Sequence, residues 1–93
     1  MALLNTFRSW LDHKLKNDVY ELRGSEIVRG RGSRPEDRLP VADVRAWQIH
    51  PEMGFDVVSI TLTDGQEIRW FDKYDDLTEI LRRVAPSGEL DVF

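Results

Sequence analysis

Four arginines, Arg29, Arg31, Arg34 and Arg38, stand within ten residues and are interleaved with Gly30 and Gly32. Guanidinium forks and glycine-freed backbone amides can hold phosphate or carboxylate bidentately, so VRGRGSRPEDRLP is the first candidate for an anion site. A nucleotide loop is disfavoured, because Pro35 stands where G-x-G-x-x-G needs its third glycine and no G-K-[ST] follows. Glu36 and Asp37 offset two of the four positive charges, and Pro-Glu-Asp is ordinary turn chemistry. The stretch therefore reads first as a solvated connection between strands. Its functional remainder is a small positive excess that an anionic partner could use.

Other chemistry is sparse. His13 and His50 lack the carboxylate or histidine spacing of a metal site. Asp72, Asp75 and Asp76 lack the regular ligands, central glycine and terminal glutamate of an EF-hand loop, and they read as helix capping. No serine lies in a G-x-S-x-G elbow. The chain has no cysteine, which excludes disulfides, thiolate zinc sites and thiol nucleophiles. Neither an enzyme nor a bound cofactor is expected. A catalytic reading would need His50 to converge with a carboxylate in a deep pocket.

These residues must be positioned by a small domain. With 93 residues, 41% hydrophobic and 32% charged, the chain has the composition of one soluble globular unit with a single modest core. No apolar run reaches the roughly 18 residues of a membrane span, and the N-terminus does not read as a signal peptide. Cytoplasmic location is the default expectation. The net charge of −4 argues against nucleic acid as a partner, since phosphate neutralisation needs a net basic face.

Leu3, Leu4, Phe7, Trp10, Leu11 and Leu15 recur at spacings of three and four, which predicts an amphipathic helix over residues 1–17. Its stripe should pack on a sheet, or else meet a partner or a membrane surface. VYELRG and EIVRG read as short strands split by a Gly24-Ser25 turn. LPVADVRAWQIH reads as a further strand whose imperfect alternation predicts a bulge or a late start. FDVVSITLTDGQEIRWF alternates on both sides of Asp64-Gly65, the signature of a β-hairpin with a type I′ turn, whose two central residues need positive φ. Leu77, Ile80, Leu81 and Val84 form one face of a C-terminal helix from about Asp75. Asp72, Asp75 and Asp76 supply its capping oxygens, and Asp76 with Glu79 fits a capping box. ELDVF either adds a short edge strand or stays loose.

The expected class is α+β: a bent antiparallel sheet of about five strands with an N-terminal and a C-terminal helix. Residues Val19 to Val84 resemble a bacterial pleckstrin-homology-like domain, through RLPVADVRAW, the VSITLTDGQEIRWF hairpin and the DDLTEILRRV helix. Length gives a single domain over residues 1–93, and the resemblance divides it into an added helix (1–17), a shortened core (19–84) and a tail (85–93). Domains of that family have seven strands capped by one helix, against the five counted here. It also implies a binding module rather than an enzyme. The loop that holds phosphoinositides in better-known relatives corresponds to the turn RGSE, which offers only Arg23.

Tryptophan is the natural core of a small domain, which suits Trp10, Trp47 and Trp70, although Trp47 could instead anchor an interface. Phe55, Val57 and Phe71 fall on the opposite hairpin face from Val58, Ile60, Ile68 and Trp70, so the sheet needs a cover on each side. A face left by the helices would mark a partner or self-association. The leading expectation is an interaction module that binds a protein, or itself as a homo-oligomer, through Trp10, Trp47, Phe55, Val57 and Phe71. The alternative is binding of an anionic lipid headgroup through the first helix and Arg29, Arg31, Arg34 and Arg38.

Overall fold

A computed structural model describes residues 18–30, 32 and 34–92. The expected N-terminal helix with Trp10, and Arg31 within the arginine run, lie outside the described residues. The architecture is α+β: β1 (Val19–Arg23), β2 (Glu26–Gly30) and β3 (Asp37–Pro40) form one antiparallel sheet. A second comprises β4 (Val44–Pro51), β5 (Asp56–Leu62) and β6 (Glu67–Asp72), and helix α1 (Asp76–Val84) follows. None of the helices among the described residues is long and apolar enough to cross a membrane.

The sheet therefore differs from the single bent sheet of about five strands. The stretch expected as one strand is divided by a 3-10 turn over Val41–Asp43, and its first residues, Leu39 and Pro40, join Asp37 and Arg38 of the expected loop in a separate strand that pairs with β2. Pro40 cannot donate to a ladder, so the strand stops there and the turn carries the chain into the other sheet. Two bonds pin it, Val41 N–H to the Ser25 carbonyl at 2.8 Å and Thr63 N–H to the Asp43 carbonyl at 2.9 Å. The expected irregularity in β4 is present as a register shift between Val44 and Ala46.

Gly24, at φ 58°, takes the left-handed position of the two-residue turn between β1 and β2. The β5–β6 hairpin forms in the expected register, with Ile60 opposite Ile68 and Val58 opposite Trp70. Its turn is not type I′, however. Gly65 alone has positive φ, at 91°. Gly65 N–H bonds the Leu62 carbonyl, and Leu62 N–H bonds that of Gln66, closing a three-residue loop with glycine at the left-handed position. The Asp64 side chain accepts from Gln66 N–H at 2.9 Å, which lets Asp64 shape the turn without adopting positive φ itself.

The two sheets face each other across one core. Tyr20, Ile27 and Leu39 come from the first sheet, Trp47, Ile49, Val58, Ile60 and Trp70 from the second, and Leu77 and Leu81 from α1. The helix touches β1 and β6, one strand of each sheet, because its Leu77–Leu81 stripe is the side that needs burial. Capping differs from the expectation. The helix begins at Asp76, so Asp76 and Glu79 are not a capping box, and Asp75 adopts a left-handed φ of 63° without bonding from its side chain to the helix end. Asp72 caps instead, from the end of β6. After a 3-10 turn over Pro86–Gly88 the tail meets β4 through a parallel bridge between Glu89 and Trp47. Leu90 N–H bonds the Trp47 carbonyl at 2.9 Å.

Candidate functional site

The register sorts the second sheet into two faces. Residues at alternate positions share a face, so Val57, Ser59 and Thr61 of β5 stand beside Gln48 and His50 of β4 and Arg69 and Phe71 of β6. This is the face away from the core; neither Val57 nor Phe71 is part of the core or packed against it. The Phe55 and Phe71 rings meet at 5.5 Å, tilted by 56°, which extends the apolar surface past the end of the strands. Phe55 is 37% exposed and Met53, in the β4–β5 turn, 96% exposed. Beside them Ser59 Oγ and His50 Nε2 share a hydrogen bond of 2.8 Å, and Ser59 is only 5% exposed. Phe55, Val57 and Phe71 are thus brought together as the alternation predicts.

The remaining expected site residues separate. Trp47 is 1% exposed and lies in the core, its indole N–H donating to the Ala85 carbonyl at 2.9 Å, so it is not available as an interface anchor. Met53, 96% exposed in the β4–β5 turn, is a large apolar side chain that the sequence did not single out, because an exposed methionine has no pattern to distinguish it.

The arginine run is drawn into strands and paired. Arg29 lies in β2 opposite Asp37. Its Nε and Nη2 donate to Asp37 at 2.9 and 2.7 Å, its Nη1 stands 3.7 Å from Asp18, and its guanidinium lies 4.7 Å over the Trp70 ring. That ring also stacks on Tyr20 at 5.7 Å. Burial drives the Tyr20 phenol far above its ordinary pKa, assisted by Asp18, and the hydroxyl donates to the Phe71 carbonyl at 2.5 Å. Arg38, in β3, pairs with Glu26 at 3.3 Å and Glu36 at 3.8 Å. Glu36 also receives a two-pronged bond from Arg23 at 2.9 and 2.8 Å, which holds its carboxyl below the usual range, and Arg23 bonds Glu21 as well. Arg34 is exposed. Much of the expected positive excess is therefore matched by carboxylates of this same sheet.

Two shallow depressions lie against β1. One of about 250 Å³ is lined by Val19, Glu21, Arg23, Val28 and Glu36, the other of about 300 Å³ by Leu22, Asp76, Glu79, Ile80 and Arg83. His50 lines neither. Among the described residues no group of three or more histidine, aspartate or glutamate side chains is arranged to hold a metal ion.

Carboxylates crowd the end of the second sheet nearest Phe55. Asp56 stands opposite Asp72 in the β5–β6 register. Its pKa is raised by burial first, then by the charges of Asp75 and Asp72 and a hydrogen bond with Asp75. Asp76 is raised by burial and by Asp72, against a lowering hydrogen bond with the Tyr20 backbone. A carboxyl whose folded pKa lies above its unfolded value costs stability at neutral pH, and the cost disappears as pH falls through the folded pKa. Asp56→Asn should therefore raise the unfolding free energy at neutral pH, by up to about 1 kcal/mol after solvent screening. That gain should shrink as pH falls through the raised folded pKa, where the aspartate is itself protonated in the folded chain. Paired urea titrations at neutral and acidic pH check this, and an unchanged difference would show that the carboxylates do not repel.

Compared with known proteins, the chain matches no family model, no curated protein and no solved structure.

Proposed function

We propose that this chain is a non-enzymatic interaction module that binds a protein partner or a second copy through the outer face of its second sheet. The observation that carries the reading is the Phe55–Phe71 ring pair beside Val57, on the side of the hairpin that contributes nothing to the core. Large aromatic groups are favoured at protein interfaces. The order of two three-stranded antiparallel sheets followed by one helix supports a shortened pleckstrin-homology-like architecture, a fold type suited to binding. The lipid-headgroup alternative loses support, because Arg29 and Arg38 are already matched by Asp37, Glu26 and Glu36.

Sedimentation velocity over a wide concentration series tests the reading on the full chain. Burying a phenylalanine side chain is worth about 1.5–3 kcal/mol. Phe71→Asp should therefore weaken association by at least about tenfold while the far-UV spectrum and urea midpoint stay near wild type. A wild-type chain that is monomeric at every concentration and fails to enhance the fluorescence of an apolar dye would overturn it.

A further inference from the structure

We propose that two copies of this chain join along the edge of β6, antiparallel about a two-fold axis, with Arg69 of each copy opposite Glu67 of the other. This contact goes beyond the outer-face reading and uses a different surface. It follows from the hydrogen-bond phase of the second sheet. Leu62 N–H bonds the Gln66 carbonyl, so these two form a bonded pair, and bonded and non-bonded pairs alternate along an antiparallel ladder. Ile60–Ile68 and Val58–Trp70 are therefore bonded pairs, whereas Thr61–Glu67, Ser59–Arg69 and Val57–Phe71 are not. Glu67, Arg69 and Phe71 consequently direct their backbone N–H and C=O groups away from β5.

The Tyr20 hydroxyl takes the Phe71 carbonyl and ends the ladder there. Glu67 and Arg69 remain as consecutive outward positions, and no strand or hydrogen bond among the described residues engages their outward groups. Each of the other three edges is interrupted. The same alternation turns Trp47 and Ile49 of β4 outward, and the Trp47 carbonyl already accepts from Leu90 N–H. In β1 the two-residue turn makes Arg23–Glu26 a bonded pair, so Tyr20 and Leu22 face outward. The Tyr20 backbone bonds Asp76, and α1 lies alongside. β3 has four residues and ends in Pro40, which has no donor to offer.

Charge selects the occupant and its register. The Arg69 and Glu67 side chains are both exposed and stand 3.8 Å apart within one chain. Centring the two-fold on Ile68 places Arg69 opposite Glu67 twice. Two opposite-charge pairs then form, and each residue pair exchanges both of its backbone bonds. Sliding the copies by two residues in either direction sets Arg69 against Arg69 or Glu67 against Glu67, which like-charge repulsion disfavours. An edge that is complementary to itself in this way fits a second copy of the same chain. The joined sheet has a β4 strand at each limit, where Leu90 already sits on Trp47. Assembly therefore closes at two copies instead of extending into a fibre.

Amide hydrogen exchange, read residue by residue in the full chain over a concentration series, provides the test, because edge pairing engages backbone N–H groups that a face contact leaves in water. Exchange at Glu67 and Arg69 should slow by at least about tenfold from dilute to concentrated protein. Phe71→Asp, which alters the outer face, should leave that slowing in place. Arg69→Glu alone and Glu67→Arg alone set like charges opposite each other, and each should weaken pairing by about tenfold. An equal mixture of the two variants restores both opposite-charge pairs, so the slowing should return. No slowing in the wild type, slowing lost in Phe71→Asp, or no recovery in the mixture would each overturn edge pairing. A chain that is monomeric throughout yet enhances apolar dye fluorescence overturns edge pairing and leaves the outer-face reading standing. If the two amides slow but Phe71→Asp leaves association unchanged, edge pairing stands and the outer face fails as the association surface.

Discussion

Trp47→Ala is expected to cost about 3–5 kcal/mol of unfolding free energy, the range for truncating a buried tryptophan. Small domains have about 5–15 kcal/mol in total, so much of the protein's stability depends on this one side chain. Two losses combine. The 1% exposed indole fills the space between the sheets, and its removal leaves a cavity that the surrounding strands cannot fully close. Its N–H also bonds the carbonyl of Ala85, just beyond the helix end, at 2.9 Å, the shorter of two bonds to that oxygen, the other coming from Gly88 N–H at 3.2 Å. Trp47→Phe separates the two effects, keeping most of the volume while losing the hydrogen bond. It should cost less than half as much. Urea denaturation of the three proteins checks the order, and a Trp47→Ala midpoint near wild type would remove Trp47 from the centre of the core.

The second large effect is expected at Asp72, which is 1% exposed. Its Oδ1 accepts from Leu77 N–H at 3.3 Å, and its Oδ2 accepts from Thr78 N–H at 3.0 Å and the Thr78 hydroxyl at 2.8 Å. One carboxylate therefore serves two otherwise orphaned amides of the first helical turn and a buried hydroxyl. Asp72→Ala leaves all three without their acceptor, at about 2–4 kcal/mol, and should reduce the helical far-UV signal. Asp72→Asn keeps one oxygen and should recover part of the loss. Adding Thr78→Val to Asp72→Ala removes the stranded hydroxyl, so the double variant should be less destabilised than the two single costs predict. By contrast Asp75→Ala and Asp76→Ala should each change stability by about 0.5 kcal/mol or less. If those equal the effect of Asp72→Ala, the capping assignment is wrong.

Asp72 also shows why some of this fold is hard to read in sequence. Three aspartates precede the helix at positions a cap could occupy, and local spacing does not choose among them. The choice falls to the one held at the end of β6, opposite Asp56, where pairing fixes its direction. The same holds for the arginines. Arg29 and Asp37 are eight residues apart, as are neither obvious helical nor turn partners, and only the β2–β3 register makes them neighbours. Long-range pairing likewise moved Leu39 to a position opposite Ile27, which separated RLP from the strand it seemed to begin.

What depends on local physics was legible. The alternation around Asp64-Gly65 placed Val58, Ile60 and Trp70 on one face and Val57 and Phe71 on the other. The Leu77–Leu81 stripe located the helix to within a residue, and the broken alternation of VRAWQIH marked the register shift. The surface now proposed for binding was visible for the same reason. Two-residue periodicity reports which side of a strand a residue takes, whatever lies on that side.

The tail beyond α1 has a consequence for colloidal behaviour. β4 is eight residues long and lies at the edge of its sheet, the type of open ladder on which strands from other molecules can stack into fibrils. The parallel bridge at Trp47 and the bond from Gln48 to the Asp91 carbonyl at 2.8 Å occupy the middle of that ladder, and Glu89 and Asp91 add negative charge beside it. Gly88 makes the approach feasible, because a Cβ there would come within 2.9 Å of the Arg45 carbonyl. Residues Glu89 to Asp91 thus act as a guard rail against polymerisation along β4.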